Sequence, residues 1–425
     1  MKILMITPAF PPYEGSQTQR MLAIANTLIQ NGLEVGVFTL EIMEGRPGYN
    51  STTMLNFDQR IRVFRSPAGS LHKKAYSISE IDNSKPSKKH NLRRKVKALL
   101  NRYKRNLMIP DTMIDWFLPA TKFEKQAGII DSFRPDYIYS CSMPNTCHLI
   151  GYYFSKKYNI PLIMDYGDPW VYIAGYSFNR IRFFIERKME SKILQHSSLV
   201  SFSTRGCELL YQRKYSIDQI KTITVMTGYD KKLLEIENTF IPTPHEGIIM
   251  TYGGAIQANV RDPIPFFKAI DSFADTQITV NLRTDNILYI QSLVDQNTSN
   301  GMISVEGYVP FDEYYREMLS ADVLVFFGNS TSDQLPGKIF NYIPTNKIIF
   351  YICNLDDIEA DQAIGIIKDY GKAIIVRNDY DEIKKGLYAL IDMIGREINV
   401  DKEKIERYST DYQMKKLAIA IQNLS

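Results

Sequence analysis

The sequence predicts an α/β protein of two successive, doubly wound parallel sheets. One observation is the order of elements at its start. The apolar run Lys2–Thr7 reads as a strand, and the loop from Pro8 leads to an amphipathic helix from about Gln19 to Gln30. Asn31-Gly32 stops that helix, and Glu34–Leu40 is a second strand. A second observation is that the same alternation restarts at Ile248, after a Pro-containing stretch from Thr239 to Glu246. The third is size and composition: 425 residues, 44% hydrophobic and 23% charged, suffice for two or three domains with their own cores.

A short connection from strand through helix to strand implies parallel pairing with a right-handed crossover. In the first half the spacing predicts a strand at about Ile61–Arg65, helices at Ala120–Arg134, Thr146–Lys157 and Asn179–His196, and strands at Tyr137–Ser140, Pro161–Tyr166 and Leu199–Ser203. In the second half strands are expected at Ile248–Tyr252, Gln277–Arg283 and Met302–Glu306, then near Lys347–Ile352 and Ala373–Val376. Helices are expected at Asp262–Phe273 and Asp312–Ser320. Val225–Asp230 and Thr239–Glu246 read as linker. The expected division is residues 1–240, 241–400, and a terminal helical segment 401–425 packing back on the first domain. Two Rossmann-like domains with a cleft between them are the simplest architecture.

Composition narrows the function classes. No run approaches the roughly 18 apolar residues of a membrane span, and MKILMITPAF reads as a first strand rather than a signal peptide. Cys141, Cys147, Cys207 and Cys353 form no CxxC pair, which fits a reducing cytoplasm. Residues 1–240 hold 34 Lys/Arg against 21 Asp/Glu, a balance of +13, whereas residues 241–425 hold 17 against 26, a balance of −9. An anionic partner is therefore expected at the first half. Residues 85–105 carry ten Lys/Arg, no acid, and apolar residues at helical spacing. They are expected to lie on the inner face of an anionic membrane, with a plain solvated or RNA-touching basic face as the alternative. No nucleic-acid module accompanies them, so nucleic acid is not the expected partner.

The stretch Ala321–Ile343 carries the strongest chemical signal. Val323–Phe327 reads as a buried strand, Gly328–Asp333 as a polar loop, and Pro336-Gly337-Lys338 as the entry to a short helix. A strand, loop and helix start at the carboxyl edge of such a sheet is where ligands bind, and Lys338 would set a cation beside a phosphate. A solvated lysine on one more βα unit is the other reading. There is no GxGxxG after the first strand, which argues against a nicotinamide dehydrogenase.

These features resemble the GT-B glycosyltransferases, in particular the retaining, family 4-like, sugar-nucleotide-dependent group of bacterial polysaccharide and glycolipid synthesis. The segments that carry the resemblance are Pro11-Pro12 with Gly15, IPDTMIDWFLPA (Ile109–Ala120), PDYIYS (Pro135–Ser140), and IPLIMDYGDPW (Ile160–Trp170). TGYD (Thr227–Asp230), Gly253-Gly254 with Arg261, EGYVP (Glu306–Pro310) and PGKIFNY (Pro336–Tyr342) complete them.

The resemblance implies a hexosyl-type transfer from a nucleoside-diphosphate-sugar donor to a saccharide or lipid-linked acceptor, with no metal or other cofactor. The donor would sit in the second domain, its diphosphate held by Arg261 and Lys338 near Gly253, Gly254 and Gly337. Charge develops on that leaving group as the glycosyl–phosphate bond breaks, and arginine and lysine stabilise it. The family's paired glutamates are replaced by Asp333 and Asn341. Asn341 could bond the ribose, and Asp333 either reaches the sugar or caps its loop. Gly15 and Ser16 would let the first loop approach the phosphates. Asp168 either binds or deprotonates the acceptor hydroxyl or caps the turn before Pro169, and His148 is either an active-site polar group or a packed histidine. Asp379-Tyr380-Asp381, a superficial metal-binding match, reads as a helix cap. A sugar-nucleotide 2-epimerase and a non-catalytic nucleotide-sugar-binding subunit remain alternatives.

Overall fold

A computed structural model describes residues 1–42, 49–50, 57–69, 108–173, 176–215, 217, 221–256, 261–332 and 334–424. The basic segment 85–105 and Asp333 lie outside these residues. The chain forms two compact units, Met1–Met226 with Met414–Ser425, and Thr227–Gln413. Each is α/β around one wholly parallel sheet.

The first unit holds β1 (Lys2–Ile6), β2 (Glu34–Leu40), β3 (Arg62–Ser66), β4 (Tyr137–Ser142), β5 (Leu162–Tyr166), β6 (Ser197–Phe202) and β7 (Thr222–Thr224). Their order is β3-β2-β1-β4-β5-β6-β7. Leu4 of β1 lies between Gly36 and Ile138, so the direction of winding reverses between β1 and β4. The central strands β4 and β5 are buried at every residue because helices cover both faces of the sheet. On one face Ala120, Ile150, Phe154, Ile193, Leu194 and Leu210 come from the helices Phe117–Ala127, Thr146–Tyr158, Arg180–His196 and Arg205–Tyr215. They pack with Leu4, Ile6 and Met164. On the other, Met21, Ile24 and Leu28 of the helix Ser16–Gln30 pack with Ile3, Met5 and Val35. The final helix, Thr410–Gln422, adds Met414, Leu417 and Ile421 to that layer.

The second unit holds β8 (Ile248–Gly253), β9 (Ile278–Arg283), β10 (Ile303–Glu306), β11 (Val323–Phe327), β12 (Ile348–Cys353) and β13 (Ala373–Arg377), in the order β10-β9-β8-β11-β12-β13. All five residues of β11 and all six of β12 are buried, as expected of strands covered on both faces. The reversal here falls between β8 and β11, where Val323 pairs with Met250 and Leu324 with Thr251.

The structure differs from the sequence expectations at several elements. The helix expected over 120–134 is two, Phe117–Ala127 and Ile129–Phe133, because Gly128 between them takes the left-handed conformation at φ +57°. The units divide after Met226 rather than at residue 240. The intervening helix Lys232–Thr239 belongs to the second unit, where Leu233 is buried and its carbonyl accepts from the Tyr315 hydroxyl at 3.1 Å. The helix entered by Pro336-Gly337-Lys338 is only Ile339–Tyr342, followed by the 3₁₀ turn Ile343–Thr345. Its end is too short to supply much of the positive potential expected there. Asp379 caps the helix Tyr380–Met393, accepting from the amides of Asp381 and Glu382.

Candidate functional site

In the second unit the chain leaving β8 and the chain leaving β11 emerge side by side at the point of reversal, where open α/β sheets form a crevice. Gly253 ends β8, and Gly254 follows at φ +147°. A Cβ at Gly254 would lie 1.5 Å from Nζ of Lys338, so only glycine leaves room for the ammonium there. Lys338 comes from the far end of the loop after β11. Its Nζ donates to the Tyr252 hydroxyl at 2.8 Å and stands 4.2 Å from the centre of that ring.

Arg261 closes the other side. Its Nε and Nη2 donate to Oδ1 of Asn329 at 3.1 and 2.7 Å, and its Nη1 to the Ala255 carbonyl at 3.0 Å. The same carbonyl accepts from the Tyr252 hydroxyl at 3.1 Å. The β11 loop is held from below as well: Asn354 Nδ2 donates to the Gly328 carbonyl at 2.7 Å, and Asn329 Nδ2 to the Gln334 carbonyl at 3.4 Å. Two cations therefore converge on one glycine turn. Burial first, and the nearby Arg261 charge second, pull the Lys338 ammonium down from its usual range to about 7. A half-buried cation of this kind is stabilised by whatever anion arrives beside it.

Gly337 is exposed on this loop, and Asn341 is half-buried in the helix Ile339–Tyr342 that follows Lys338. Gly253, Gly254, Arg261, Gly337, Lys338 and Asn341 thus belong to one locality.

In the first unit Gly15 and Ser16 begin the helix Ser16–Gln30 after the β1 loop, at the corresponding point of reversal. Gly15 is extended at φ 165°, so its value there is small size rather than handedness. Asp168 is half-buried in the loop after β5. Of the two readings of His148, its surroundings fit the packed one: the side chain is fully buried, with Nδ1 2.8 Å from the Ser140 hydroxyl and its ring against Tyr166 and Trp170, while Nε2 has no hydrogen-bond partner among the described residues. Burial lowers it to about 3, so it is neutral and packed.

No family model matches the chain, and no curated protein matches it by sequence. Solved structures do match along the whole length. A glycosyltransferase from Rickettsia africae superposes with a TM-score of 0.64 at 11% identity, over 100% of this chain and 98% of the other. Sucrose-phosphate synthase from Thermosynechococcus elongatus gives 0.60 at 14% identity, over 100% of both chains. Anabaena HepE, solved in complex with UDP and glucose, gives 0.57 at 12% identity over 99% of both. The chain has the GT-B fold.

Several segments of the GT-B resemblance turn out to anchor that fold. Asp111 receives the amide and hydroxyl of Thr146 at 2.9 and 2.7 Å and so starts the helix Thr146–Tyr158. Trp116 Nε1 donates to the Ser66 hydroxyl at 2.7 Å, and Trp170 Nε1 to Glu186 at 3.1 Å. Two site residues escaped sequence reasoning. Tyr252 directly precedes the Gly-Gly turn but reads as an ordinary strand residue. Asn329 lies in a loop whose polarity alone does not single it out.

Proposed function

We propose that this GT-B chain is a glycosyltransferase that moves a sugar, expected to be a hexose, from a nucleoside-diphosphate-sugar donor to a polysaccharide-precursor or lipid-linked acceptor. Retention of configuration and independence from metal ions are part of the proposal. The observation that carries it is the convergence of Lys338, at Gly254, and Arg261, at the Ala255 carbonyl, on the turn after β8 at the reversal point of the second sheet.

In the reaction the bond between the sugar's anomeric carbon and the phosphate oxygen breaks, and its electron pair leaves with the diphosphate. The acceptor oxygen bonds to the same carbon and gives up its proton. Lys338 and Arg261 would meet the growing negative charge in a partly desolvated site, where such contacts stabilise the transition state most. Asn329 would keep the guanidinium aimed. Asn341 is the candidate for the ribose, and Gly253, Gly254 and Gly337 would leave space for the diphosphate. In the first unit Gly15 and Ser16 would approach the donor, and Asp168 would bind or deprotonate the acceptor hydroxyl. Asp333 keeps its role toward the sugar as a proposal from sequence. His148 keeps its active-site role only as a proposal from sequence.

A thermal-shift screen against UDP, GDP, ADP, CMP and their sugars, repeated with Lys338→Ala, tests this reading. A rise of several degrees with one nucleotide, lost in the variant, is expected. No shift with any of them in well-folded protein would sink it.

A further inference from the structure

The four helices on one face of the first sheet, Phe117–Ala127, Thr146–Tyr158, Arg180–His196 and Arg205–Tyr215, sort their charges, with the buried Arg182, paired to Glu186, as the one inward lysine or arginine. Their acids are Glu124, Glu186, Glu190 and Glu208, and all four are buried. Each has an inward partner. Glu124 accepts from the Tyr158 hydroxyl at 2.7 Å, Glu186 from Trp170 at 3.1 Å, Glu190 from Tyr211 at 2.5 Å, and Glu208 from Thr222 at 2.7 Å. Every exposed charged side chain on the same helices is a lysine or arginine, eleven in all. Among the described residues only Lys157 and Arg205 of these eleven form ion pairs, with Glu124 and Glu208. The outer surface of this layer is therefore uniformly cationic.

It is also apolar in one place. On the helix Arg180–His196, Ile181, Phe184 and Ile185 are 75%, 57% and 40% exposed and share one side at i, i+3 and i+4. The Lys188 ammonium lies 4.9 Å from the Phe184 ring centre, and Lys192 continues the stripe at 5.9 Å from Tyr152. Single exposed apolar residues need no explanation, but a cluster inside a cationic field does.

We infer that this helical face is a docking surface for a bilayer carrying anionic headgroups, with Ile181, Phe184 and Ile185 entering the headgroup–acyl boundary. A soluble polyanion would satisfy the cations and leave those three side chains without a purpose, whereas an anionic membrane satisfies both. This surface gives the proposed acceptor a source, the membrane, and to that extent rests on the transferase reading. The docking itself needs no donor site, so its test is independent of nucleotide binding.

The experiment is flotation of the full chain with vesicles of phosphatidylcholine, with and without phosphatidylglycerol. The wild type should float only with the anionic vesicles. Removing a cation near such a surface lowers partition roughly fivefold, so Arg187→Glu/Lys188→Glu/Lys192→Glu should lose more than tenfold. Lys188→Gln/Lys192→Gln should fall between them, which guards against misfolding of the reversed form. Ile181→Ser/Phe184→Ser should weaken binding several-fold and leave the remainder more sensitive to salt. Unchanged flotation of the glutamine and reversed variants would overturn the inference and point to another segment. Full binding by the serine variant, with equally tight binding to RNA, would overturn it in favour of a polyanion face. The nucleotide-induced thermal shift, read on the same proteins, reports separately on the donor site.

Discussion

Arg20 and Asp165 lie 145 residues apart and meet through two buried hydrogen bonds, Nε to Oδ2 at 3.0 Å and Nη2 to Oδ1 at 2.7 Å. The pair ties the helix after β1 to β5 across the reversal point of the first sheet. Arg20 Nη1 also donates to the Val225 carbonyl at 3.1 Å, and Asp165 also accepts from the Ser201 hydroxyl and the Cys141 thiol. Burial works against the Asp165 carboxylate, but Arg20 outweighs it and holds the group below its usual range.

Removing one partner leaves the other charge buried and unmatched, which costs about 3–5 kcal/mol. Arg20→Met should therefore destabilise the first unit by that amount in urea denaturation. Arg20→Met/Asp165→Asn should recover part of the loss. A double variant less stable than the single would refute the pairing as the source of the effect.

Donor affinity should fall with rising pH. Lys338 is held down to about 7 in the free protein. A bound diphosphate favours the ammonium, so binding takes up a proton once the free group has lost its own. Affinity should be flat below pH 7 and weaken above it, toward the pKa of the bound form. Calorimetric titration with a sugar nucleotide, whose diphosphate diester does not titrate in this window, checks the slope. In Lys338→Met the slope should vanish.

Gly254→Ala should abolish nucleotide binding while the protein stays folded. The added methyl would displace the Lys338 ammonium, and the positive φ costs of the order of 1–3 kcal/mol. Retained thermal shift with the nucleotide that stabilises the wild type would contradict the place given to Lys338.

Glu190 offers a pH test of the first unit's core. It is fully buried, and desolvation raises it to about 7 despite hydrogen bonds from Tyr211 and Tyr215. A carboxyl raised in the folded state contributes stability that is complete below its unfolded pKa of about 4.3 and is lost as pH rises through about 7. Glu190→Gln should flatten this part of the stability curve between those limits, followed by thermal melts across pH. An unchanged curve would assign the dependence elsewhere.

The strands were legible because parallel strands buried on both faces must be apolar throughout, as in VLVFF at β11 and IIFYIC at β12. Helices such as Ile287–Asn297 and Gln362–Tyr370 were missed. Their apolar positions differ little from those of a strand when read over a short window. Lys338 and Arg261 stood out because cations beside glycine and proline breaks have few structural uses. Their partners Tyr252 and Asn329 did not, since a tyrosine at a strand end and an asparagine in a loop have many.

By itself the sequence determined the composition of each sheet, the charge imbalance between the halves, and the cations available to a diphosphate. These are local properties, set by side-chain period and by charge. Tertiary structure alone decided where each winding direction reverses, that Lys338 rests on Tyr252 against Gly254, and that His148 faces the core. It also decided that Glu124, Glu186, Glu190 and Glu208 turn inward while the lysines and arginines of the same helices, except Arg182, turn out. The physical reason is that strand order and burial depend on contacts between residues far apart in the chain. A residue's own neighbours in sequence do not fix which of its faces meets water.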